Sequence, residues 1–222
     1  MKKELNFLTA GKAREYSFKF EFLSFLGRKM NNKKPPTFSD YCNMGSGPRY
    51  LEGMVNADIY SFNFLRKIFG KETYKVDWEI DLRYKLNCND NHFSGILLEH
   101  TFEHLSIIDG LNLLSELRRI LKKNSILRIS VPDLEKYISF YKDKIPHQKF
   151  LQWKNKKSEA LWSLNHNFGH NSVYDYELLK KLLTIAGFTK IRKGKFQDSE
   201  DINLQIDDPG RAWESLYVEA KN

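Results

Sequence analysis

The chain of 222 residues carries 36 Lys and Arg residues against 28 Asp and Glu residues, a formal net charge of +8. Cys42 and Cys88 are its only cysteines, so the sequence predicts neither a disulfide framework nor a cysteine zinc cluster, and it favours a reducing, cytoplasmic compartment. No apolar run approaches the ~20 residues of a transmembrane helix. The length fits one large domain, or one domain with a small appendage.

Positive charge is concentrated in residues 1–40 and 118–157, whereas residues 41–117 are net acidic. Basic segments attract nucleic acid, anionic lipid or phosphorylated substrates. The lysines are nevertheless spread among polar positions, as on an ordinary solvated surface. Nucleic acid is therefore an open but unfavoured partner, and the basic N-terminal arm leaves peripheral membrane contact open.

Residues 1–36 are predicted to form an N-terminal helical arm that precedes the main domain, residues 37–222. Four large apolar side chains recur at helical spacing: Phe18, Phe22, Phe25 and Leu26. They predict a helix from about Ala10 to Met30, and Pro35-Pro36 prevents its continuation. We expect this helix to pack across a sheet edge, with a lid and a membrane-surface helix as alternatives.

Short apolar segments alternate with helical patterns in the main domain, which predicts an α/β fold with a doubly wound, mostly parallel sheet. Seven strands are predicted, at residues 37–44, 54–59, 74–82, 93–98, 125–131, 188–192 and 216–220. The six residues from Pro48 to Gly53 cannot hold the helix that normally joins parallel strands. The first crossover should therefore be abbreviated to about one turn.

Helical spacing predicts three helices between these strands. The first covers residues 61–69, with Gly70 as its C-cap. The second begins at Asp109 as N-cap and runs to residue 123. The third covers residues 174–186 and is followed by Gly187. Residues 134–157 are basic and aromatic, and their pattern does not distinguish a helix from an irregular segment.

Glycines and acidic residues fall at four predicted strand ends, which form one rim in a parallel sheet and usually hold its ligand. The Gly45-Ser46-Gly47 turn would let the backbone approach a ligand closely. Asp58 would accept hydrogen bonds from ribose hydroxyls. Asp81 would contact a base amine or an adjacent loop, and Glu99 would face the middle of the rim. These positions predict a nucleotide-like cofactor, whereas plain turns and helix caps are the structural alternative.

His100, Glu103 and His104 match H-x-x-E-H, the inverted zincin pattern. Two histidines at this spacing can bind zinc on one helix face, so a zinc hydrolase is an alternative function. The motif follows a buried strand directly instead of lying within a long helix. We therefore expect no metal, and assign the histidines to capping or to a role near substrate or cofactor. His170 lies in a polar loop that could face the substrate.

The chain resembles class I S-adenosylmethionine-dependent methyltransferases, and more narrowly small predicted bacterial methyltransferases linked to surface-glycan clusters. The resemblance runs from Tyr41 to the C-terminus. Its motifs are Asn43-Met44-Gly45-Ser46-Gly47-Pro48, the second acid Asp58, the adenine-side pair Asp81-Leu82, and Leu98 to Leu105, which is similar to EHxxEHL. Two departures are Asn43, where many members have an acid, and Arg49, where the third glycine would be.

The resemblance implies methyl transfer from S-adenosylmethionine to an oxygen or nitrogen nucleophile of a small molecule or glycan, with S-adenosylhomocysteine as product. It also implies an antiparallel last strand. The implied cofactor-binding residues are Asn43, Met44, Gly45, Ser46, Gly47, Asp58, Ile59, Asp81, Leu82 and Glu99. A base, if one is used, would be His104, His100 or His170. The two departures leave a cofactor-binding but inactive partner protein as an alternative, and the oligomeric state stays unassigned.

Overall fold

The computed structural model describes residues 17–60, 70, 72–166 and 169–222. The helix predicted for residues 61–69 lies outside these ranges, as does the start of the predicted N-terminal helix. Seven strands form one sheet in the order β3-β2-β1-β4-β5-β7-β6. Their bounds are β1 Tyr41–Met44, β2 Val55–Asp58, β3 Trp78–Glu79, β4 Phe93–Glu99, β5 Leu121–Pro132, β6 Thr189–Gly194 and β7 Ser215–Lys221.

The sheet is mostly parallel, with one antiparallel hairpin at its end. Strands β3, β2, β1, β4 and β5 pair in parallel, whereas β7 runs antiparallel to both β5 and β6. The predicted seven-stranded, mostly parallel sheet and its antiparallel last strand are confirmed. Because Met44 pairs with Ala57 and Leu98, the carboxyl ends of β2, β1 and β4 meet at one rim.

Five α-helices are described. They are α1 Phe18–Met30, α2 Ile107–Ile120, α3 Leu134–Tyr141, α4 Lys157–His166 and α5 Tyr176–Ile185. The segment that the sequence left undecided therefore contains α3, a 3-10 turn at Gln148–Trp153 and the start of α4. The predicted N-cap Asp109 is wrong: the cap of α2 is Ser106, whose hydroxyl accepts from the Asp109 amide at 3.1 Å.

One face of the sheet is apolar and packs against α2 and α5. Alternate residues of β4, Ile96 and Leu98, share a buried cluster with Leu114 of α2 and Leu182 of α5. Burying each such side chain contributes roughly 1.5–3 kcal/mol. This cluster contains most of the buried apolar residues and fixes the rim above it.

The other face is partly covered by residues 195–208, in the connection from β6 to β7. Leu204, from a short 3-10 turn, packs against Met54, Leu97 and Ile126. Residues 48–53, all of which the structure describes, contain no helix, so the abbreviated first crossover is confirmed. The β6–β7 connection thus covers part of this face, and no helix joins β1 to β2 there.

Polar contacts attach α1 and the segment after it to β3 and the residues that follow β3. The Ser24 hydroxyl donates to Asp81 at 2.5 Å, and the Trp78 indole donates to the Lys33 carbonyl at 2.9 Å. Phe18 and Phe22 of this helix stay largely exposed. Among the described helices, none combines the length and the apolar character needed to cross a membrane.

Candidate active site

The turn after β1 is a tight loop whose conformation requires glycine. Gly45 and Gly47 have φ angles of +72° and +52°, which side-chain-bearing residues rarely adopt. The amides of Gly45 and Ser46 both donate to the Ala57 carbonyl, at 2.8 and 3.0 Å. A Cβ at Gly47 would meet only the Asp58 carboxylate, at 4.0 Å. The loop is therefore fixed to β2 while the backbone at Gly47 faces open space.

Asp58 ends β2 beside this loop. Its carboxylate accepts hydrogen bonds from the Gly47 amide and, at 2.5 Å, from the Ile59 amide. Burial raises the pKa of Asp58 above its usual value, although both amides oppose the rise. A carboxylate offers about four acceptor positions, so this group retains capacity for hydroxyl donors.

Asp81 follows β3 and is engaged within the protein. It accepts from the Ser24 hydroxyl at 2.5 Å and from the Arg83 guanidinium at 2.6 and 3.0 Å. Burial disfavours the charged form, but these donors outweigh it and lower the pKa of Asp81. Leu82 packs at the margin of the core. In this structure Asp81 joins α1 to the rim.

Besides Asp81, three of the predicted cofactor residues have buried side chains. The Asn43 amide donates to the Arg49 carbonyl and to Asn56 Oδ1, each at 3.0 Å. Met44 is fully buried in the core, and Ser46 is buried within the loop. A ligand at this position would therefore meet the backbone of these residues before their side chains.

Arg49 and Glu99 form an ion pair across the rim. Arg49 also donates to the Ile206 carbonyl, and the second Glu99 oxygen accepts from the Asp208 amide at 2.9 Å. Burial raises the pKa of Glu99 above its usual value, while Arg49 opposes that rise. The β6–β7 connection is thus tied to the ends of both β1 and β4.

The candidate histidines surround a buried glutamate. Glu103 lies in the 3-10 turn Phe102–His104, with 1% of its surface exposed. Its Oε1 is 3.5 Å from His100 Nδ1 and 3.9 Å from His170 Nε2. The rings of His104 and His170 meet edge to face with centroids 5.0 Å apart. The structure therefore brings His100, His104 and His170 together, although 66 residues separate the last two.

His100 marks a sharp turn out of β4. Its φ is +44°, the left-handed region that favours glycine. Its amide donates to the Ser130 carbonyl at 2.9 Å, and its Nε2 lies 2.6 Å from the Ser215 hydroxyl. The ring is thus held between the ends of β4 and β7.

A pocket of about 250 Å³ opens beside His100 and His170. Its other walls include the aromatic rings of Tyr137, Trp153 and Trp213. These rings belong to a second, smaller aromatic cluster. The ring centroids of Tyr137 and Trp153 lie 5.8 Å apart, and those of Trp153 and Trp213 lie 6.2 Å apart. The pocket therefore joins an aromatic wall to the histidine cluster.

Comparison with known proteins identifies the fold. No protein-family model matches the chain, and no curated protein sequence matches it. Among solved structures, it is similar to an S-adenosylmethionine-dependent methyltransferase from Archaeoglobus fulgidus, with 17% identity, coverage of 94% of this chain and 100% of that one, and a TM-score of 0.50. It is also similar to PigF with S-adenosylhomocysteine, with 15% identity, coverage of 82% of this chain and 50% of that one, and a TM-score of 0.51. The chain has the class I methyltransferase fold.

Two parts of this methyltransferase-fold site were missed by sequence reasoning. In the sequence, Arg49 indicates only that the third glycine is missing, whereas in the structure it pairs with Glu99. In the sequence, Glu103 is only one position of the H-x-x-E-H pattern, whereas in the structure its carboxylate lies between His100 and His170. For Glu103 the signal is its place between two histidines in H-x-x-E-H, although its burial is visible only in the structure. For Arg49 the sequence offered none.

Proposed function

We propose that this chain binds S-adenosylmethionine at the rim and transfers its methyl group to an oxygen or nitrogen nucleophile of a small molecule or glycan. The observation that carries the proposal is the loop with left-handed Gly45 and Gly47 beside Asp58, at adjacent strand ends of a methyltransferase fold. The cofactor would supply a methyl group on a positively charged sulfur, which an acceptor lone pair can displace.

The residues present fit such a cofactor. At Gly47 the missing Cβ leaves space bounded by the Asp58 carboxylate, so the sugar of a ligand can approach the protein backbone there. Asp58 has acceptor capacity for ribose hydroxyls. Hydrogen bonds to a charged acceptor contribute about 1.5–3 kcal/mol each. We assign Asp58 the largest side-chain contribution to cofactor affinity.

The pocket beside His100 and His170 is proposed to receive the acceptor. Flat aromatic walls such as Trp153 and Trp213 suit the faces of sugar or aromatic rings. Its polar end reaches the histidine cluster, and His104 lies close enough to Asp58 to influence the pKa of that carboxyl. Catalysis would come mainly from aligning acceptor and methyl group, and His104, His100 or His170 would accept a proton if a base is used.

Asp58→Ala should weaken binding of S-adenosylmethionine and of S-adenosylhomocysteine by roughly 100-fold or more, because two hydrogen bonds to a charged acceptor are lost. Calorimetric titration of the purified protein measures this directly. We expect micromolar binding by the unaltered chain.

Glu52→Ala is the matched control, since Glu52 is an exposed acid on the short crossover that leads into β2. It should bind both ligands as the unaltered chain does. Absence of binding by the unaltered chain at millimolar ligand, or equal binding by Asp58→Ala, would count against the proposal.

A cofactor-binding but catalytically inactive protein is the second candidate. It is favoured by Arg49, which stands at the position of the third glycine and pairs with Glu99. The two candidates differ in turnover. An active enzyme converts S-adenosylmethionine to S-adenosylhomocysteine when small-molecule and glycan fractions are added, and an inactive one binds the cofactor unchanged.

A further inference from the structure

We propose that Glu103, His104 and His170 form a binding site for one divalent transition-metal ion. One ligand atom from each residue, a carboxylate oxygen or an imidazole nitrogen, lies within 4.8 Å of the others. Two imidazoles and one carboxylate are a donor set of zinc enzymes and of non-haem iron sites. The sequence alone predicts no metal, and its alternative places zinc at His100 and His104 instead.

Glu103 is a deeply buried carboxylate whose surroundings favour a bound cation. The residue is 1% exposed, and among the described residues neither carboxylate oxygen has a hydrogen-bond donor. Burying an ionised carboxylate costs several kcal/mol unless it is paired and hydrogen-bonded. A metal ion bound to Glu103 would offset that cost.

Both imidazoles are oriented as metal ligands usually are. His170 Nδ1 lies 2.8 Å from the Leu164 carbonyl, which can only accept, so Nδ1 carries the proton and Nε2 is left as the acceptor. That Nε2 is the atom facing Glu103. His104 is hydrogen-bonded to the Gly169 carbonyl. Metal-binding histidines commonly donate their second N–H to a carbonyl in this way.

The site is held together without the ion. The Glu103 carbonyl accepts from the amides of Asn171 and Ser172, at 2.8 and 3.1 Å. The Asn171 side chain donates to the His104 carbonyl at 2.8 Å. These bonds fix the turn after β4 against the loop that carries His170. The ligands therefore converge before metal binding, which reduces the ordering that binding requires.

An ion pair between Glu103 and a protonated His100 is the competing explanation. The distance from His100 Nδ1 to Glu103 Oε1 is 3.5 Å, longer than the ~2.7–2.9 Å of charge-assisted hydrogen bonds. It also leaves the second oxygen of Glu103 without a donor. Against the effect of burial, the His100 contact lowers the pKa of Glu103, but it leaves both carboxylate oxygens without a hydrogen bond of ordinary geometry.

The proposed role of the ion rests on the proposed function, whereas the ion site itself does not. His170 lines the acceptor pocket, so a hydroxyl bound there could contact the ion. Contact with a divalent ion lowers the pKa of such a hydroxyl. With His104 and His170 bound to the ion, the hydroxyl proton would leave to water, the oxygen lone pair would form the new C–O bond with the methyl carbon, and the C–S bonding pair would stay on sulfur, giving S-adenosylhomocysteine.

The test is titration of chelator-treated full-length protein with Co²⁺ and Zn²⁺. We expect one ion per chain, with the visible absorption of cobalt bound by imidazole and carboxylate. Glu103→Gln and His170→Gln should each weaken binding by about 100-fold or more, since even residues that only orient a ligand cost 10–100-fold. His147→Gln, a change at an exposed histidine on another turn, should leave it unchanged.

Failure of the unaltered protein to bind either ion stoichiometrically would overturn the inference, as would equal binding by Glu103→Gln and His170→Gln. Circular dichroism reports whether each variant is folded, and His170→Gln alone decides the result if Glu103→Gln is not. Because the titration contains no S-adenosylmethionine, its failure is distinguishable from failure of the proposed function. Metal binding without cofactor binding would sustain this site and remove only its proposed role.

Discussion

Arg128→Met should lower the free energy of unfolding by about 3–5 kcal/mol, the usual cost of removing one partner from a buried ion pair. Arg128 is fully buried and donates to Asp207 at 2.5 and 2.7 Å and to Glu219 at 3.0 Å. It also donates to the carbonyls of Asp198 and Lys195, at 3.0 and 2.8 Å. Methionine would keep much of the volume while leaving the buried Asp207 without its cation and Glu219 with Arg192 alone. Urea unfolding of both proteins measures the difference.

Arg192→Met provides the matched control for this prediction. Arg192 pairs with the same Glu219, but 29% of its side chain is exposed. Partly exposed ion pairs contribute about 0–1 kcal/mol, so its loss should be small. If Arg128→Met costs no more than Arg192→Met, the ion pairs beneath the β6–β7 connection are not what stabilises it.

Gly45→Ala should destabilise the protein by about 2–5 kcal/mol. The left-handed backbone conformation costs a side-chain-bearing residue roughly 1–2 kcal/mol, and overpacking adds about 1–3 kcal/mol. The second contribution arises because a Cβ at Gly45 would overlap the Thr101 side chain. The same overlap would shift the loop beside Asp58, so affinity for S-adenosylmethionine should fall as well.

Gly53→Ala is the matched control, because it measures the backbone contribution without any overlap of side chains. Gly53 has a φ of +81°, yet an added Cβ would meet nothing within 4 Å. Its cost should therefore be limited to the backbone term of about 1–2 kcal/mol. Thermal unfolding of the two variants gives the comparison. Equal losses would show that contact with Thr101 does not constrain the loop.

The rim could be predicted because it depends on local patterns. The apolar run at Phe93–Leu98 predicts a buried strand, and the acids directly after such strands must meet at one edge of a parallel sheet.

The exact ends of elements were harder to predict. Strand β3 is shorter than the predicted strand at residues 74–82, because only Trp78 and Glu79 pair with β2. The N-cap of α2 was misplaced because Ser106 and Asp109 both favour that position and only hydrogen-bond geometry decides between them.

The histidine cluster and the buried ion pairs could not be predicted in the same way. The Asn171–His104 contact joins residues 67 apart, and Arg128 and Asp207 are 79 apart. Residues 195–208 show no periodicity, so their position depends wholly on these distant partners. A charged arginine in β5 gives no sign, from sequence alone, that its partners lie in a later loop.

The β6–β7 connection has a consequence for how the domain assembles. Until residues 204–207 have been synthesised, the cluster of Met54, Leu97 and Ile126 lacks Leu204, and the Arg128 guanidinium lacks the Asp207 carboxylate. A nascent chain that has produced only β1 to β5 would present apolar and ionic surface that no earlier segment satisfies. Such non-local closure slows folding and exposes intermediates to aggregation. We therefore expect the domain to become protease-resistant late, after the residues of the β6–β7 connection have left the ribosome, and not in stages from its N-terminus.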